Sequence, residues 1–450
     1  MNFADRRAGL LLHPTSLPSG TLADVGRWLD FLHAAGFGVW QVLPLGIPLT
    51  GLSPYQCASA FAINPELFPA SSADLPGFAE WRARQRHWLE DFARFMVIKA
   101  EQGGAPWTAW PVALRDREAQ ALAAFDAAHA SELQAVMRAQ HAAAVHWQEI
   151  HAAATSRAIA LFGDMPLFVA HDSADVWAHR HLFLLDAAGE PTMVAGVPPD
   201  YFSKTGQRWG NPHYDWNAMQ TEGFAWWRQR LAAHFEWFDL VRIDHFRGLV
   251  AAWQIPAGEP TAVEGSWVDV PGAALLQKVA EEMGELPLVA EDLGIITPEV
   301  TALRQHFGLP GMAVLQFAFD AHADNPHKPE NVHSDTVYYT GTHDNDTTPG
   351  WWHALPEDAR GEVMQQLGVD DAEAVPERMI DTVLHSQAAL TVFPLQDLLG
   401  LGSEARMNTP GTNHGNWKWR FHWDALPPDL ATHTKKRLQD AHRCEKPPIP

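Results

Sequence analysis

The chain has 450 residues, 46% of them apolar and 19% charged, the balance of a folded globular protein and not of a disordered one. Acidic residues outnumber basic ones by 54 to 32, and the resulting negative field repels nucleic-acid phosphates and anionic membranes, leaving a neutral ligand as the natural partner. The two cysteines, Cys57 and Cys444, supply neither a disulfide framework nor a zinc-ligand spacing, which fits a reducing compartment.

Residues 1–14 carry two arginines but only a brief apolar run before a proline, too short for the core of a signal peptide. No stretch has the apolar length of a membrane span, so the expected location is the cytoplasm. Residues 9–17 (GLLLHPTSL) read as a strand broken at a proline, 21–36 as a helix stopped by glycine, and 39–46 (VWQVLPLG) as a second strand, together a βα unit. From residue 50 to about 150 the rhythm breaks, and 81–150, rich in Ala, Arg, Gln and Glu at helical spacing, reads as an inserted helical subdomain. Strand character returns at 159–170 (IALFGDMPLFVA). Residues 171–216, dominated by Gly, Pro, Trp and Asp, read as a long ordered loop of the kind that serves an active site.

After a helix at 223–237 the alternation resumes without large interruption. Strand candidates at 240–246, 286–294, 311–319, 336–344 and 390–400 are interleaved with helices at 271–284, 297–307 and 373–385. Eight apolar strands with intervening helices predict an α/β fold, a single (β/α)8 barrel domain over 1–450 with insertions after strands 2 and 3. Such a barrel carries its active site at the C-terminal ends of its strands. The final CEKPPIP reads as a loose tail.

Three strand candidates end in acids: Asp244 after LVRI, Glu291 and Asp292 after LPLVA, and Asp344 with Asp346 after VYYTGTH. In the barrel frame these carboxylates converge on one mouth although roughly fifty residues separate each group from the next. Cleaving a glycosidic bond needs one carboxylate at the anomeric carbon and one carboxylic acid at the leaving oxygen. A third acid can orient sugar hydroxyls. His13, His245 and His343 lie at or near strand ends, where they can bond sugar hydroxyls or join the acids in a metal site; against metal, the first strand has no HxH pair, and HRH at 179–181 lies in the irregular insertion. Arg242, two residues before Asp244, shares its side of the strand and is placed to keep that acid ionised. The 20 tryptophans supply indole faces suited to stacking on sugar rings, although most are expected in the core.

At these residues the chain closely resembles the 4-α-glucanotransferases (amylomaltases, or disproportionating enzymes) of glycoside hydrolase family 77. The resemblance rests on LLHPTSLPS, SPYQCASAFAINP (53–65), GVPPDYFSKTGQRWGNPHYDW (196–216), VRIDHFRG, VAEDLG, GTHDND and NWKWR (416–420). It implies Asp244 as nucleophile, Glu291 as general acid/base and Asp344 as transition-state stabiliser. Tyr55, Gln207, Trp209, Arg242, His245, His343, Asp320 and Asn416 fall on the family's sugar-contacting positions, and 198–209 on its loop over the acceptor side. The resemblance further implies no cofactor and no metal, an α-1,4-glucan donor, and a glucan or glucose acceptor. The segments 70–150 and beyond Arg420 carry none of these motifs. The expected reaction is transfer by retaining double displacement. The rivals are a hydrolase of the α-amylase kind, a metal-dependent barrel hydrolase and a non-catalytic glucan-binding protein.

Overall fold

Eight parallel strands, Arg7–Leu11, Val39–Gln41, Ala160–Met165, Leu240–Ile243, Leu288–Ala290, Gly311–Val314, Thr336–Tyr339 and Leu390–Pro394, form one sheet in which the eighth pairs with the first. The computed structural model describes residues 5–49, 51–69, 75–199, 203–412 and 414–444. The ladder runs from the sixth strand through the eighth and first to the fifth. Across the remaining seam, between the fifth and sixth strands, Ala290 donates its N–H to the Pro310 carbonyl at 2.8 Å. Asp292 extends this closure with a side chain in place of backbone, its Oδ1 accepting from the Met312 N–H at 2.7 Å. Only glycine fits at 311, because a Cβ there would lie 2.5 Å from an Asp292 carboxylate oxygen. The (β/α)8 barrel is thus closed.

Alternation along each strand divides two cores. Leu11, Val39, Phe162, Leu240, Val289, Met312, Val314, Val337, Tyr339, Leu390 and Val392 fill the barrel interior. Their neighbours Leu10, Trp40, Leu161, Val241, Ile243, Leu288 and Phe393 face the surrounding helices. Side chains two apart share a face of a strand, so the interior series Leu240, Arg242, Asp244 climbs from apolar floor to polar mouth. Phe162 and Asp164 do the same on the third strand, Val289 and Glu291 on the fifth.

The helical segment contains Phe78–Arg84, Leu89–Glu101, Val112–Arg115, Ala119–Ala128 and Ala130–Thr155. The last of these also serves as the barrel's own helix before the third strand: Trp147 donates from Nε1 to the Trp237 carbonyl at 2.9 Å, and Gln140 bonds both backbone groups of Ile63. Most of the expected helices stand within a few residues of their sequence bounds, among them Val25–Ala35, Ala225–Trp237, Gly272–Met283 and Val375–His385. Trp28, Trp40, Trp107, Trp147, Trp177 and Trp227 are fully buried, the core role expected of most tryptophans.

Two expectations fail in the same place. The segment 171–216 is not simply a loop, and the chain after the fourth strand is interrupted. Met193–Val197 and Gln207–Pro212 pair antiparallel, and Ala251–Pro256 and Ser266–Asp269 extend them into a four-stranded sheet beside the barrel mouth. The strands escaped notice because Ser266–Asp269 is exposed on both faces and carries no apolar alternation. Residues 200–202, part of the expected acceptor-side loop, lie outside the described residues. Among the described residues no helix is long and apolar enough to cross a membrane.

Candidate active site

The mouth is built on one guanidinium. Arg242 donates from Nη1 to both carboxylate oxygens of Asp164 at 2.8 Å and from Nη2 to Asp244 Oδ1 at 2.8 Å. Tyr55 donates its hydroxyl to Asp164 Oδ2 at 2.5 Å, which brings the turn after the second strand onto the same cluster. Asp164 was not picked out among the strand-end acids, although FGDMP places it in register with Phe162; its signal was an acid inside an apolar run. Its side chain is fully buried and that of Arg242 nearly so.

The fourth and fifth strands pair Ile243 with Ala290, and one residue further on Asp244 stands beside Glu291. Adjacent strands lie about 4.8 Å apart, so the two acids leave neighbouring strands at the same level, and the Asp244 charge acts on Glu291. His245 then takes a left-handed conformation, φ 56° and ψ 48°, which costs a non-glycine residue about 1–2 kcal/mol. The turn is held because the His245 N–H meets Glu291 Oε2 at 2.6 Å and the Phe246 N–H meets the Glu291 carbonyl at 3.1 Å. Glu291 Oε1 accepts a further bond from the Leu293 N–H at 3.1 Å.

Burial pushes Glu291 up to about 7; the Asp244 charge adds to the rise, while Arg242 and the two amides oppose it. Burial also carries Asp244 above its ordinary value, against the downward pull of Arg242 and His343 and with Asp164 and Asp344 adding to it. The expected guanidinium partner is present, but desolvation outweighs its effect.

Asp344 is not at a strand end but five residues beyond Tyr339, on a loop that returns to the mouth. Asn408 donates to its Oδ1 at 2.6 Å, Arg406 to its carbonyl at 2.6 Å, and His343 Nε2 lies 3.4 Å from Oδ1. His343 stacks on Tyr55 with centroids 5.1 Å apart, and Trp417 packs against both rings. Asn408, Arg406 and Trp417 were absent from the expected set, since the irregular stretch after the eighth strand offers no periodicity to read. The other two strand-end acids are structural: Asp292 closes the seam and lies 3.2 Å from Arg304, while Asp346 accepts from the Thr347 N–H and from Ser403.

His13 and His245 are both lowered to about 3, chiefly by burial, so both rings are neutral at pH 7. Each leaves one buried ring nitrogen unbonded, His13 Nδ1 and His245 Nε2. Buried polar atoms rarely stay unpaired, and in a mouth they point to a polar ligand. Trp209 sets its ring edge-on to His245 at 4.9 Å and donates to Gln207 Oε1 at 3.1 Å. Asn416 instead bonds Thr409 and Thr412 within its own loop, next to Trp417. Asp320 caps the His322 N–H and sits 3.8 Å from Lys328, with no bond to the cluster.

Carboxylates on neighbouring strands at the C-terminal mouth of a (β/α)8 barrel are an arrangement that glycosidic-bond chemistry can use. Residues 11–75 and 68–426 match the glycoside hydrolase family 77 model, described as 4-alpha-glucanotransferase. The 4-alpha-glucanotransferase of Thermus thermophilus is 47% identical over 96% of this chain and 97% of its own, and that of Synechocystis 45% identical over 95% and 96%. The structure of the amylomaltase from Streptococcus agalactiae in complex with acarbose superposes with a TM-score of 0.94 at 31% identity, covering 98% of this chain and all of that one. The chain belongs to the 4-alpha-glucanotransferase family, enzymes acting on α-1,4-glucans. The match also runs through 70–150 and past Arg420, the segments that carry none of the motifs.

Replacing Asp164 with Ala leaves Arg242 buried and half paired, and such a loss costs about 3–5 kcal/mol. The expected result is a lowered urea midpoint together with lost transfer activity. An unchanged midpoint would remove this ion pair from the foundation of the site.

Proposed function

We propose that the enzyme transfers a segment of an α-1,4-glucan to the 4-hydroxyl of another glucan or of glucose by retaining double displacement. Asp244 attacks the anomeric carbon while protonated Glu291 gives its proton to the departing 4-oxygen, and a β-linked glycosyl-enzyme forms. Glu291, now a carboxylate, takes the proton of the acceptor's 4-hydroxyl. The oxygen so freed displaces Asp244 and restores an α-1,4 bond. The observation that carries this reading is the placing of Asp244 beside Glu291 on adjacent strands, with Glu291 raised to about 7. A retaining enzyme needs one carboxylate as nucleophile and one raised carboxylic acid as proton donor, the roles assigned here to Asp244 and Glu291.

Asp344 supplies negative charge to the oxocarbenium-like state. Tyr55, Arg242, His245 and His343 line the sugar site around the pair. Gln207 and Trp209 reach it from the small sheet, and Asn416 and Asp320 contact sugars at its margin. Gln207 and Trp209 shield the acceptor side from water, which favours sugar as acceptor over hydrolysis. No cofactor or metal takes part, and activity is expected to persist in chelator. Cys57 and Cys444 are not joined in a disulfide, which suits a reducing cytoplasm.

Asp244→Asn is expected to lower glucose release from maltotriose by at least about 10⁴-fold; near-normal release would sink the assignment. Because Glu291 must be protonated in the first step, kcat/KM is expected to fall as pH rises through about 7. Glu291→Gln should abolish transfer from maltotriose yet retain cleavage of α-glucosyl fluoride, whose leaving group needs no proton. A basic limb far above neutrality would contradict the acid's role. Trp209→Ala is expected to raise the ratio of reducing ends formed to maltodextrins formed, and an unchanged ratio would take that residue out of the mechanism.

A further inference from the structure

The four-stranded sheet ends in an edge that nothing in the mechanism uses. Its outer strand, Ser266–Asp269, is exposed throughout, with Trp267 38% accessible. Trp253 packs against Trp267 with centroids 5.3 Å apart and is itself anchored through Nε1 to the Ala262 carbonyl. The guanidinium of Arg247, three residues past Asp244, lies 3.7 Å from the centre of the Trp267 ring. The same Arg247 donates to the Ile295 carbonyl at 2.8 Å, on the loop whose Leu293 N–H holds Glu291. Ile295 is 64% accessible.

Arg247 is held by a backbone carbonyl and an indole face and by no carboxylate among the described residues, and its buried Nε has no acceptor. An accessible indole beside a guanidinium with no carboxylate partner offers an apolar face and hydrogen-bond donors together, matching the two surfaces of a pyranose ring. A protein partner would be met by a broader apolar field, and an anionic one is repelled by the surrounding charge. At most about 13 Å of chain separates Ile295 from Glu291. The patch therefore adjoins the loop that holds Glu291, the acid assigned above to the leaving and acceptor oxygens.

We propose that Trp267, with Arg247, forms an outlying acceptor-side subsite that takes a sugar of a long α-1,4-glucan beyond the reach of a trisaccharide. The inference rests on the transfer reaction proposed above. Trp267→Ala is expected to raise KM for soluble amylose as acceptor about tenfold, with kcat held and maltotriose kinetics within about twofold. Trp267→Phe, which keeps an aromatic face, should recover most of the loss. A second arm uses Asp244→Asn protein in amylose-containing native gels, where adding Trp267→Ala should abolish part of the retardation. Equal losses on maltotriose and amylose would reduce Trp267 to scaffolding, and a changed oligomeric mass would make the edge an interface between copies. Unchanged amylose KM and retardation would also overturn the subsite. Should the unsubstituted enzyme fail to disproportionate maltotriose, the transfer reading falls, while the gel still reads the subsite.

Discussion

The site depends on one buried contact, the bridge that Arg242 makes between Asp164 and Asp244. A guanidinium inside a barrel is tolerable only when paired, and its planar fork reaches two acids on neighbouring strands at once. The bridge fixes where Asp244 points and carries Tyr55, through Asp164, into the same network. A lysine, with one point charge, has no such geometry. The apolar layer beneath, led by Leu240, Phe162 and Val289, excludes water from below and lets the bridge act at low dielectric.

The same exclusion of water sets the acid–base chemistry. Burial raises both Asp244 and Glu291, and their charges act on each other, so the pair holds a proton close to neutrality. Backbone geometry keeps the pair together: the left-handed turn at His245 aims two consecutive amides at Glu291. Strain at one residue is offset by two hydrogen bonds to the acid that needs positioning. Around this centre the neutral rings of His13 and His245 leave nitrogens unpaired, consistent with a polar neutral ligand.

The barrel was legible in the sequence because its strands are short apolar runs bounded by turns, and all eight stand where the runs predict. Asp244 and Glu291 were legible because each directly follows such a run. Asp344 was legible by its motif more than by its position, since the loop after Tyr339 brings it back to the mouth. Asp164 was missed for the opposite reason: it lies within the strand, and only the pairing of Asp164 with Arg242 across strands gives it meaning. Asn408, Arg406 and Trp417 come from irregular chain, where no period ties residue to place. The small sheet was missed because its strands come from two separate connections and meet only in space.

Periodicity and composition alone determined the barrel and its eight strands, because the hydrophobic effect acts on local patterns that can be read along the chain. What surrounds each acid was decided only by tertiary structure. Asp292 and Asp346 lie close to Glu291 and Asp344 in sequence, yet Asp292 is tied to the Met312 amide across the barrel seam and Asp346 to Thr347 and Ser403, whereas Glu291 stands beside Asp244. Ionisation depends on what surrounds a carboxyl in three dimensions, and those neighbours come from strands that are far apart in sequence.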